Sequence, residues 1–309
     1  KKECFTAEWI EQVSSELHYN DKNLIEKVIR ALSLLEMLVK AGCPLVFKGG
    51  TALMLILGKS AHRLSIDIDL ICPPGTNIED YLKSFADFGF INLELVERKQ
   101  RDDADIPKSH SKFFYQIAYR NDTDAQSYIL LDVLYEDIHY FRTQQIAIDC
   151  PFIRLEGKPL MVTVPSAEDI LGDKLTAFAP NTTGIPYYKN GRSCSMEIAK
   201  QLYDVGRLFE NVSDLQITKE AFRKIAVVEL SYRSFGTDIG QVFNDIRQTA
   251  LCISTRGKAG EGDFDLIQDG IIRVKSFMYK QRYLIDHAII DAARAAYLAT
   301  LIEKGINEI

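Results

Sequence analysis

The first forty residues alternate polar and apolar positions with the period of an α-helix. Thr6 is suited to cap a first helix that runs to His18. Asn20 or Asp21 is suited to cap a second helix, in which apolar side chains recur at helical spacing through Leu38. The pattern therefore predicts that two amphipathic helices open the chain.

Short apolar runs bounded by turn signals follow these helices, which is the pattern of β-strands. The predicted strands are 44–47, 66–71, 91–96, 113–119 and 128–135, with a last strand-like run at 159–164. Between them, Thr51 to Leu57 is too short and too rich in Leu and Met for a strand, and Ile78 to Phe88 has helical spacing. These runs predict one mixed sheet with helical crossovers.

Nearly all of the second half has helical periodicity. The predicted helices are 166–178, 196–209, 219–230, 240–252, 264–279 and 283–302. We therefore expect an α+β protein of two domains. A small mixed sheet with the two leading helices would occupy residues 1–162, and a helical bundle would occupy residues 163–309.

Composition narrows the classes of protein further. A chain of 309 residues with 47% hydrophobic and 26% charged residues is typical of globular proteins. A formal net charge of −6 excludes an overall basic field, so any contact with nucleic acid needs a local cluster of cations. No apolar run approaches the roughly 18 residues of a membrane span. Six scattered cysteines without a C-x-x-C pair favour reduced thiols, so we expect a cytoplasmic protein.

The most informative motif begins where the first predicted strand ends, at Phe47. Gly49 and Gly50 then form a turn in which the backbone can approach a ligand closely. Thr51 opens a helix, whose free N–H groups suit a phosphate. A Gly-Gly pair in a protein usually marks only a turn, but this pair precedes both a predicted helix and a predicted strand that carries two aspartates.

The acidic strand carries Asp67 and Asp69, whose side chains share one face because strand side chains repeat every two residues. Two adjacent carboxylates repel each other unless a cation binds between them. Mg²⁺, which prefers oxygen ligands, is the cation that this pair predicts. Asp132, in the apolar strand 128–135, is the candidate third ligand for a two-metal site. The alternative for Asp132 is an end-of-strand charge paired with a Lys or Arg.

Other apparent motifs are weaker. Asp103 and Asp105 form a second D-x-D in the polar stretch 101–110, which we interpret as a loop. Gly58-Lys59-Ser60 has Leu53 where a P-loop needs its first glycine. The histidines lack the spacing of a zinc site, and no G-x-S-x-G is present.

Residues 49–53 (Gly-Gly-Thr-Ala-Leu) and 63–70 (Arg-x-Ser-x-Asp-Ile-Asp-Leu) resemble the first motif of the DNA polymerase β-type nucleotidyltransferases. More narrowly, they are similar to the AbiEii/AbiGii toxin branch, which includes the MenT toxins. Two later motifs of that branch match Lys174 and Asp204. The sequence departs from the branch at Gln201, where an acidic residue is frequent.

The resemblance implies transfer of a nucleoside monophosphate from an NTP to an acceptor hydroxyl. Mg²⁺ or Mn²⁺ would be the cofactor. Lys174 would be the counter-charge of the triphosphate, Asp204 would orient Lys174 or the acceptor, and Arg63 and Ser65 would contact phosphate or shape the carboxylates. The resemblance also implies a type IV toxin–antitoxin or phage-abortive system, with tRNA 3′ ends as one acceptor class and an antitoxin that acts without direct contact. We expect no membrane among the partners, because no apolar run is long enough to span one.

Three alternatives stay open on the sequence. The acceptor could be a small molecule, or the chain could bind nucleotide without turnover. Lys174 could simply pair at the surface with Asp169 or Asp173. For an RNA acceptor, local cations are offered by Lys189 and Arg192. Tyr187 and Tyr188 would either stack an unpaired base or anchor the loop.

Overall fold

The computed structural model describes residues 2–96, 108–119, 125–212, 214–233, 236 and 238–308. The chain forms two compact units. The sheet unit comprises Lys1–Ile138, Thr143–Pro165 and Phe277–Gln281, and the helical unit comprises His139–Arg142, Ser166–Ser276 and Arg282–Ile309. A short segment from late in the chain thus belongs to the sheet unit, which no local pattern indicates.

The two leading helices are present, as predicted. Helix α1 spans Ala7–Leu17 and helix α2 spans Lys22–Lys40. The Thr6 side chain accepts a hydrogen bond from the first turn of α1, and Asp21 caps α2 in the same way. Each cap satisfies a backbone N–H that the helix itself leaves unpaired.

Five strands form the main sheet. They are β1 (Val46–Lys48), β2 (Ile68–Cys72), β3 (Asn92–Val96), β4 (Lys108–Gln116) and β5 (Gln126–Tyr135). The strand order is β1-β2-β5-β4-β3, with β2 and β5 parallel and the other pairs antiparallel. Helix α3 (Gly49–Leu57) follows β1 directly. A smaller antiparallel pair, β6 (Thr143–Ala147) and β7 (Met161–Pro165), completes the described strands of this unit.

Helix α2 packs on the sheet and closes the core of this unit. Alternate residues of β5 are buried there, namely Ile129, Leu131 and Val133. Because side chains alternate along a strand, Asp132 lies on the opposite face of the sheet. The apolar face thus fixes the register that presents the acidic face.

Two predictions about this unit need correction. Residues 78–88 form two 3₁₀ turns, Ile78–Tyr81 and Phe85–Phe88, instead of one helix. Hydrogen bonds between residues three apart hold them, since so short a segment gains little from helix propagation. Strand β4 begins at Lys108, so His110 lies in a strand and not in the predicted loop. Asp103 and Asp105 lie outside the described residues.

The helical unit contains the remaining α-helices. They are α4 (Ala167–Ala177), α5 (Ser195–Phe209), α6 (Leu215–Tyr232), α7 (Ile239–Ser254), α8 (Phe264–Val274) and α9 (Ile285–Lys304). Helix α4 packs on α5 and α6, α5 also packs on α8 and α9, and α7 packs on α9. A small sheet followed by a helical bundle confirms the predicted α+β class. Within the described ranges, none of the helices combines the length and apolar character that crossing a membrane requires.

Candidate active site

The turn between β1 and α3 lies directly against Asp69. Gly49, where α3 begins, has a φ of +79°, a backbone conformation that favours glycine. A Cβ atom at this position would overlap the Asp69 carboxylate. Glycine is therefore required at position 49 both by the backbone and by the carboxylate beside it.

Gly50 lies against the residues that precede the acidic pair. A Cβ atom at Gly50 would be 2.6 Å from the Ser65 hydroxyl and 3.0 Å from an Arg63 guanidinium nitrogen. Arg63 is buried, and another of its guanidinium nitrogens donates a 2.9 Å hydrogen bond to the Leu64 carbonyl. The structure thus gathers Gly50, Arg63 and Ser65, all three predicted from sequence.

Thr51 holds this region together. Its side chain is completely buried, and its hydroxyl donates a 2.7 Å hydrogen bond to the backbone carbonyl of Asp67. This contact joins helix α3 to the segment that enters β2. The hydroxyl of Thr51 therefore fixes the position of the acidic strand.

One row of polar side chains crosses four strands of the sheet. Lys48 on β1 is in register with Asp69 on β2, Asp69 with Asp132 on β5, and Asp132 with His110 on β4. Residues in register on neighbouring strands project from the same face. The sheet therefore aligns Asp69 and Asp132, which are far apart in the sequence.

Asp132, the carboxylate of this row that lies farther from Lys48, is hydrogen-bonded to an imidazole. His110 Nδ1 makes a hydrogen bond to Asp132 Oδ1. The sequence alternative for Asp132 was a Lys or Arg partner, and its observed partner is instead a histidine. His110 lacks the spacing of any motif, so no pattern in the sequence selects it as a site residue.

The predicted metal ligands do not form a ready-made cage. The part of the chain that the structure describes holds no group of three or more His, Cys, Asp or Glu side chains arranged to hold a metal ion. Asp67 acts electrostatically on Lys27 of α2: burial lowers the pKa of Lys27, and the Asp67 carboxylate opposes that shift. The sequence did not indicate this neighbour.

In the helical unit, Lys174 and Asp204 form a buried ion pair. Lys174 Nζ lies 3.1 Å from Asp204 Oδ2, and the two residues are only 7% and 2% exposed. Lys174 also donates a 3.0 Å hydrogen bond to the side-chain oxygen of Gln201. The departure from the family pattern thus places a neutral acceptor beside the lysine.

The surface pairing considered for Lys174 is not what the structure shows. Asp169 is buried and accepts hydrogen bonds from the backbone N–H groups of residues 141 and 142. Asp173 accepts a 2.9 Å hydrogen bond from the Tyr140 hydroxyl. Both carboxylates therefore attach the 139–142 segment to α4.

The long loop before α5 contains a hairpin of β8 (Tyr188–Lys189) and β9 (Arg192–Ser193). Asn190 and Gly191 both have positive φ, as a two-residue hairpin turn requires. The hydroxyl of Tyr187 is buried, whereas Tyr188 is 58% exposed. Tyr187 thus has the environment of an anchor, and Tyr188 has a face open to solvent.

Comparison with known proteins identifies the family to which the chain belongs. The family described as nucleotidyl transferase AbiEii toxin, type IV toxin–antitoxin system, matches residues 32–283. Among solved structures, the nucleotidyltransferase toxin MenT4 from Mycobacterium tuberculosis is similar at 15% identity, with 94% of this chain and 89% of that chain covered and a TM-score of 0.51. JHP933 from Helicobacter pylori is similar at 17% identity, with 93% and 92% covered and a TM-score of 0.43.

No curated protein sequence matches the chain significantly. The likeness to MenT4 supports the fold, and the family match extends over most of the chain. The protein is therefore a nucleotidyltransferase by class. It belongs to the AbiEii toxin family of type IV toxin–antitoxin systems.

Proposed function

We propose that this protein transfers a nucleoside monophosphate from an NTP to a hydroxyl of an RNA acceptor such as a tRNA 3′ end, in the cytoplasm and as the toxin of its system. The observation that carries the proposal is the alignment of Asp69 with Asp132 beside the glycine turn at Gly49. Carboxylates next to a phosphate-accepting helix N-terminus are what nucleotidyl transfer needs.

A divalent cation fits the donor set, since Asp67, Asp69 and Asp132 offer only oxygen ligands, which Mg²⁺ and Mn²⁺ prefer. Mg²⁺ is usually held by one or two carboxylates together with substrate phosphates and water. A protein cage of three ligands is therefore not required before the nucleotide binds. The cation would supply charge neutralisation at the phosphates and lower the pKa of the attacking hydroxyl.

The remaining site residues have roles that follow from charge. Gly49 and Gly50 begin α3, whose first N–H groups would donate to a phosphate, and Arg63 beside Gly50 adds a positive charge there. Lys174, fixed by Asp204, would neutralise charge that develops on the triphosphate. A compact ammonium suits a single point of contact between phosphate oxygens.

Substitution of Asp69 tests this proposal. We expect Asp69→Asn to lower transfer of labelled NTP to total RNA at least about a hundredfold, which corresponds to about 2.7 kcal/mol of transition-state stabilisation. The melting temperature should not fall, because the substitution relieves repulsion between carboxylates. Asp80→Asn, at an exposed position of the same unit, is the matched control. A variant that retains more than about a tenth of the wild-type rate would remove the ligand assignment.

The hairpin supports an RNA acceptor. Lys189 and Arg192 are exposed and in register with each other, and Tyr188, which precedes Lys189 in the hairpin, is exposed as well. Lys and Arg side chains bind the phosphates of an RNA backbone. Stacking of an unpaired base on an exposed aromatic ring contributes about 1–3 kcal/mol of binding free energy. Because the net charge of −6 repels a polynucleotide overall, RNA would bind where cations are clustered, as they are on this hairpin.

The salt dependence of RNA labelling tests the acceptor. The double variant Lys189→Ala/Arg192→Ala should lower RNA labelling and flatten its log–log salt dependence by about one unit per lost phosphate contact, with NTP affinity unchanged. Lys275→Ala/Lys304→Ala removes two exposed cations of the same unit as the control. Wild-type activity that is insensitive to salt would favour a small-molecule acceptor instead.

The antitoxin of such a system need not touch the toxin. We infer that it acts without direct contact, as the type IV classification suggests. Co-expression of the gene neighbour with a tagged toxin tests this inference. Rescue of growth without co-purification supports it, whereas a stable complex contradicts it.

A further inference from the structure

His110 is the member of the polar row that no sequence motif accounts for. It occupies the middle of the first half of β4, between Ser109 and Ser111. The register places it next to Asp132, at the end of the row opposite to Lys48. The two carboxylates in the middle of the row are thus flanked by a cation on one side and an imidazole on the other.

The chemistry of the contact fixes the direction of the hydrogen bond. An ionised carboxylate only accepts hydrogen bonds, so His110 Nδ1 carries the proton and donates it to Asp132 Oδ1. The imidazole is 11% exposed, whereas the Asp132 side chain is 38% exposed. The donor is therefore held by its packing, and the acceptor is the more open of the two groups.

A purely structural role explains this contact poorly. A carboxylate that is 38% exposed can be solvated by water, so it needs no histidine to satisfy its charge. What the hydrogen bond adds is restriction of rotation about the Asp132 side chain. Hydrogen bonds of this kind orient carboxylates for metal binding in many proteins.

We propose that His110 is a positioning residue that orients the carboxylate of Asp132 toward the site of nucleotidyl transfer. This inference rests on the proposed function, because it assigns His110 a role through a residue placed in that site. His110 itself does not contact the reacting atoms. Removal of the His110 imidazole should lower the rate of nucleotidyl transfer about 10- to 100-fold, the range typical of residues that orient metal ligands.

Two substitutions of His110 and one of its neighbour test the proposal by kinetics. His110→Leu should lower kcat about 10- to 100-fold with little change in the KM for NTP. His110→Asn keeps an N–H donor near the position of Nδ1, so it should restore at least a third of the wild-type kcat. Ser109→Ala removes a different hydrogen bond between the same two strands, 2.8 Å from Ser109 Oγ to Tyr135 OH, and should change kcat less than twofold.

A binding measurement without turnover separates this proposal from the proposed function. Mn²⁺ binding to the full chain is followed by electron paramagnetic resonance in the presence of a non-hydrolysable NTP analogue. If the wild type transfers nothing to RNA but binds Mn²⁺, and His110→Leu weakens this binding at least about fivefold while Ser109→Ala does not, the proposed function fails and His110 keeps its role. Wild-type protein that binds no Mn²⁺, or a His110→Leu variant with wild-type Mn²⁺ affinity and kcat, overturns the proposal.

If His110→Leu does not fold, its activity says nothing about the role of His110, and His110→Asn then provides the test. Its melting temperature should stay within a few degrees of the wild type, because the smaller amide keeps the hydrogen bond to Asp132. If His110→Asn is folded but its kcat falls as far as that of Asp132→Ala, the orientation of Asp132 by an N–H donor is refuted.

Discussion

The two units hold their charged site residues in different ways. In the sheet unit, Asp67 and Asp69 are partly exposed, and the Asp132 side chain is 38% exposed. In the helical unit, Lys174 and Asp204 are 7% and 2% exposed and paired at 3.1 Å. The carboxylates of the sheet remain open to solvent, whereas the charges of the helical unit are already neutralised by each other.

This difference predicts different consequences of mutation. A partly exposed carboxylate stays solvated when its neighbours change, so its replacement affects function more than stability. A buried charge whose partner is removed has no such compensation. The sheet unit should therefore tolerate the loss of its site charges, and the helical unit should not.

The largest expected effect on stability is at the buried pair. Lys174→Met removes the ammonium that lies 3.1 Å from the buried carboxylate of Asp204 and should lower the free energy of unfolding by about 3–5 kcal/mol. Arg256→Met, which breaks an exposed pair of the same unit with Asp286, should cost less than about 1 kcal/mol. Denaturant unfolding followed by circular dichroism measures both.

The double variant Lys174→Met/Asp204→Leu makes the comparison sharper. Replacing both charges with apolar groups removes the uncompensated charge, so most of the lost stability should return. Transfer activity should not return, because the double variant still lacks Lys174, the proposed counter-charge of the triphosphate. A double variant as unstable as Lys174→Met alone would show that the pair is not the source of the effect.

The same contrast explains what the sequence could reveal about the site. Asp67, Asp69 and the glycines lie within one short stretch, where strand alternation and turn chemistry place them together. The partnership of Lys174 with Asp204 spans two helices and was indicated only by resemblance to a family. The contact of His110 with Asp132 depends on the pairing of β4 with β5, which local patterns do not specify.

The elements follow the same rule. Most of the amphipathic helices were predicted to within about four residues at each end, because tertiary packing uses the apolar stripe that the sequence displays. The predicted helix 264–279 instead ends at Val274, and residues 277–281 belong to the sheet unit. Strand β6 was missed, since three of its five residues are exposed and it lacks apolar alternation. The hairpin β8–β9 was missed because each of its strands has only two residues, too few for any period to appear.

The glycine turn offers a smaller effect that belongs to the sheet unit. Gly49→Ala should lower both stability and transfer, because the backbone has positive φ and the new Cβ overlaps the Asp69 carboxylate. Gly42→Ala is a matched control, since Gly42 has a φ of +75° with no atom within 4 Å of its Cβ position. Both variants carry a backbone cost of about 1 kcal/mol.

The difference between the two variants isolates the contact with Asp69. We expect Gly49→Ala to lose at least tenfold more transfer activity than Gly42→Ala at similar melting temperatures. Equal losses of activity would mean that the turn contributes only backbone strain, and that the space above Asp69 is not used by the substrate.

The smallest effect concerns pH and compares one buried carboxyl in each unit. Burial raises the pKa of Asp245 in the helical unit, with hydrogen bonds from Asn181 and Thr182 opposing it, and burial raises the pKa of Glu26 in the sheet unit, with Arg30 opposing it. A raised pKa means that the folded state binds the proton more tightly than the unfolded state. The contribution to stability is therefore full below the ordinary carboxyl pKa and is lost as the pH rises through the raised value.

Substitution of either carboxyl should make the free energy of unfolding less dependent on pH across that interval. Each unit of pKa shift corresponds to about 1.4 kcal/mol, so the change in slope is modest. Circular dichroism follows Asp245→Asn, and the fluorescence of Trp9, the single tryptophan, follows Glu26→Gln within the sheet unit. Because Asp245 accepts hydrogen bonds from Asn181 and Thr182, the Asp245→Asn variant should also be less stable at every pH. If its free energy of unfolding varies with pH as steeply as that of the wild type, Asp245 ionises as it does in the unfolded chain.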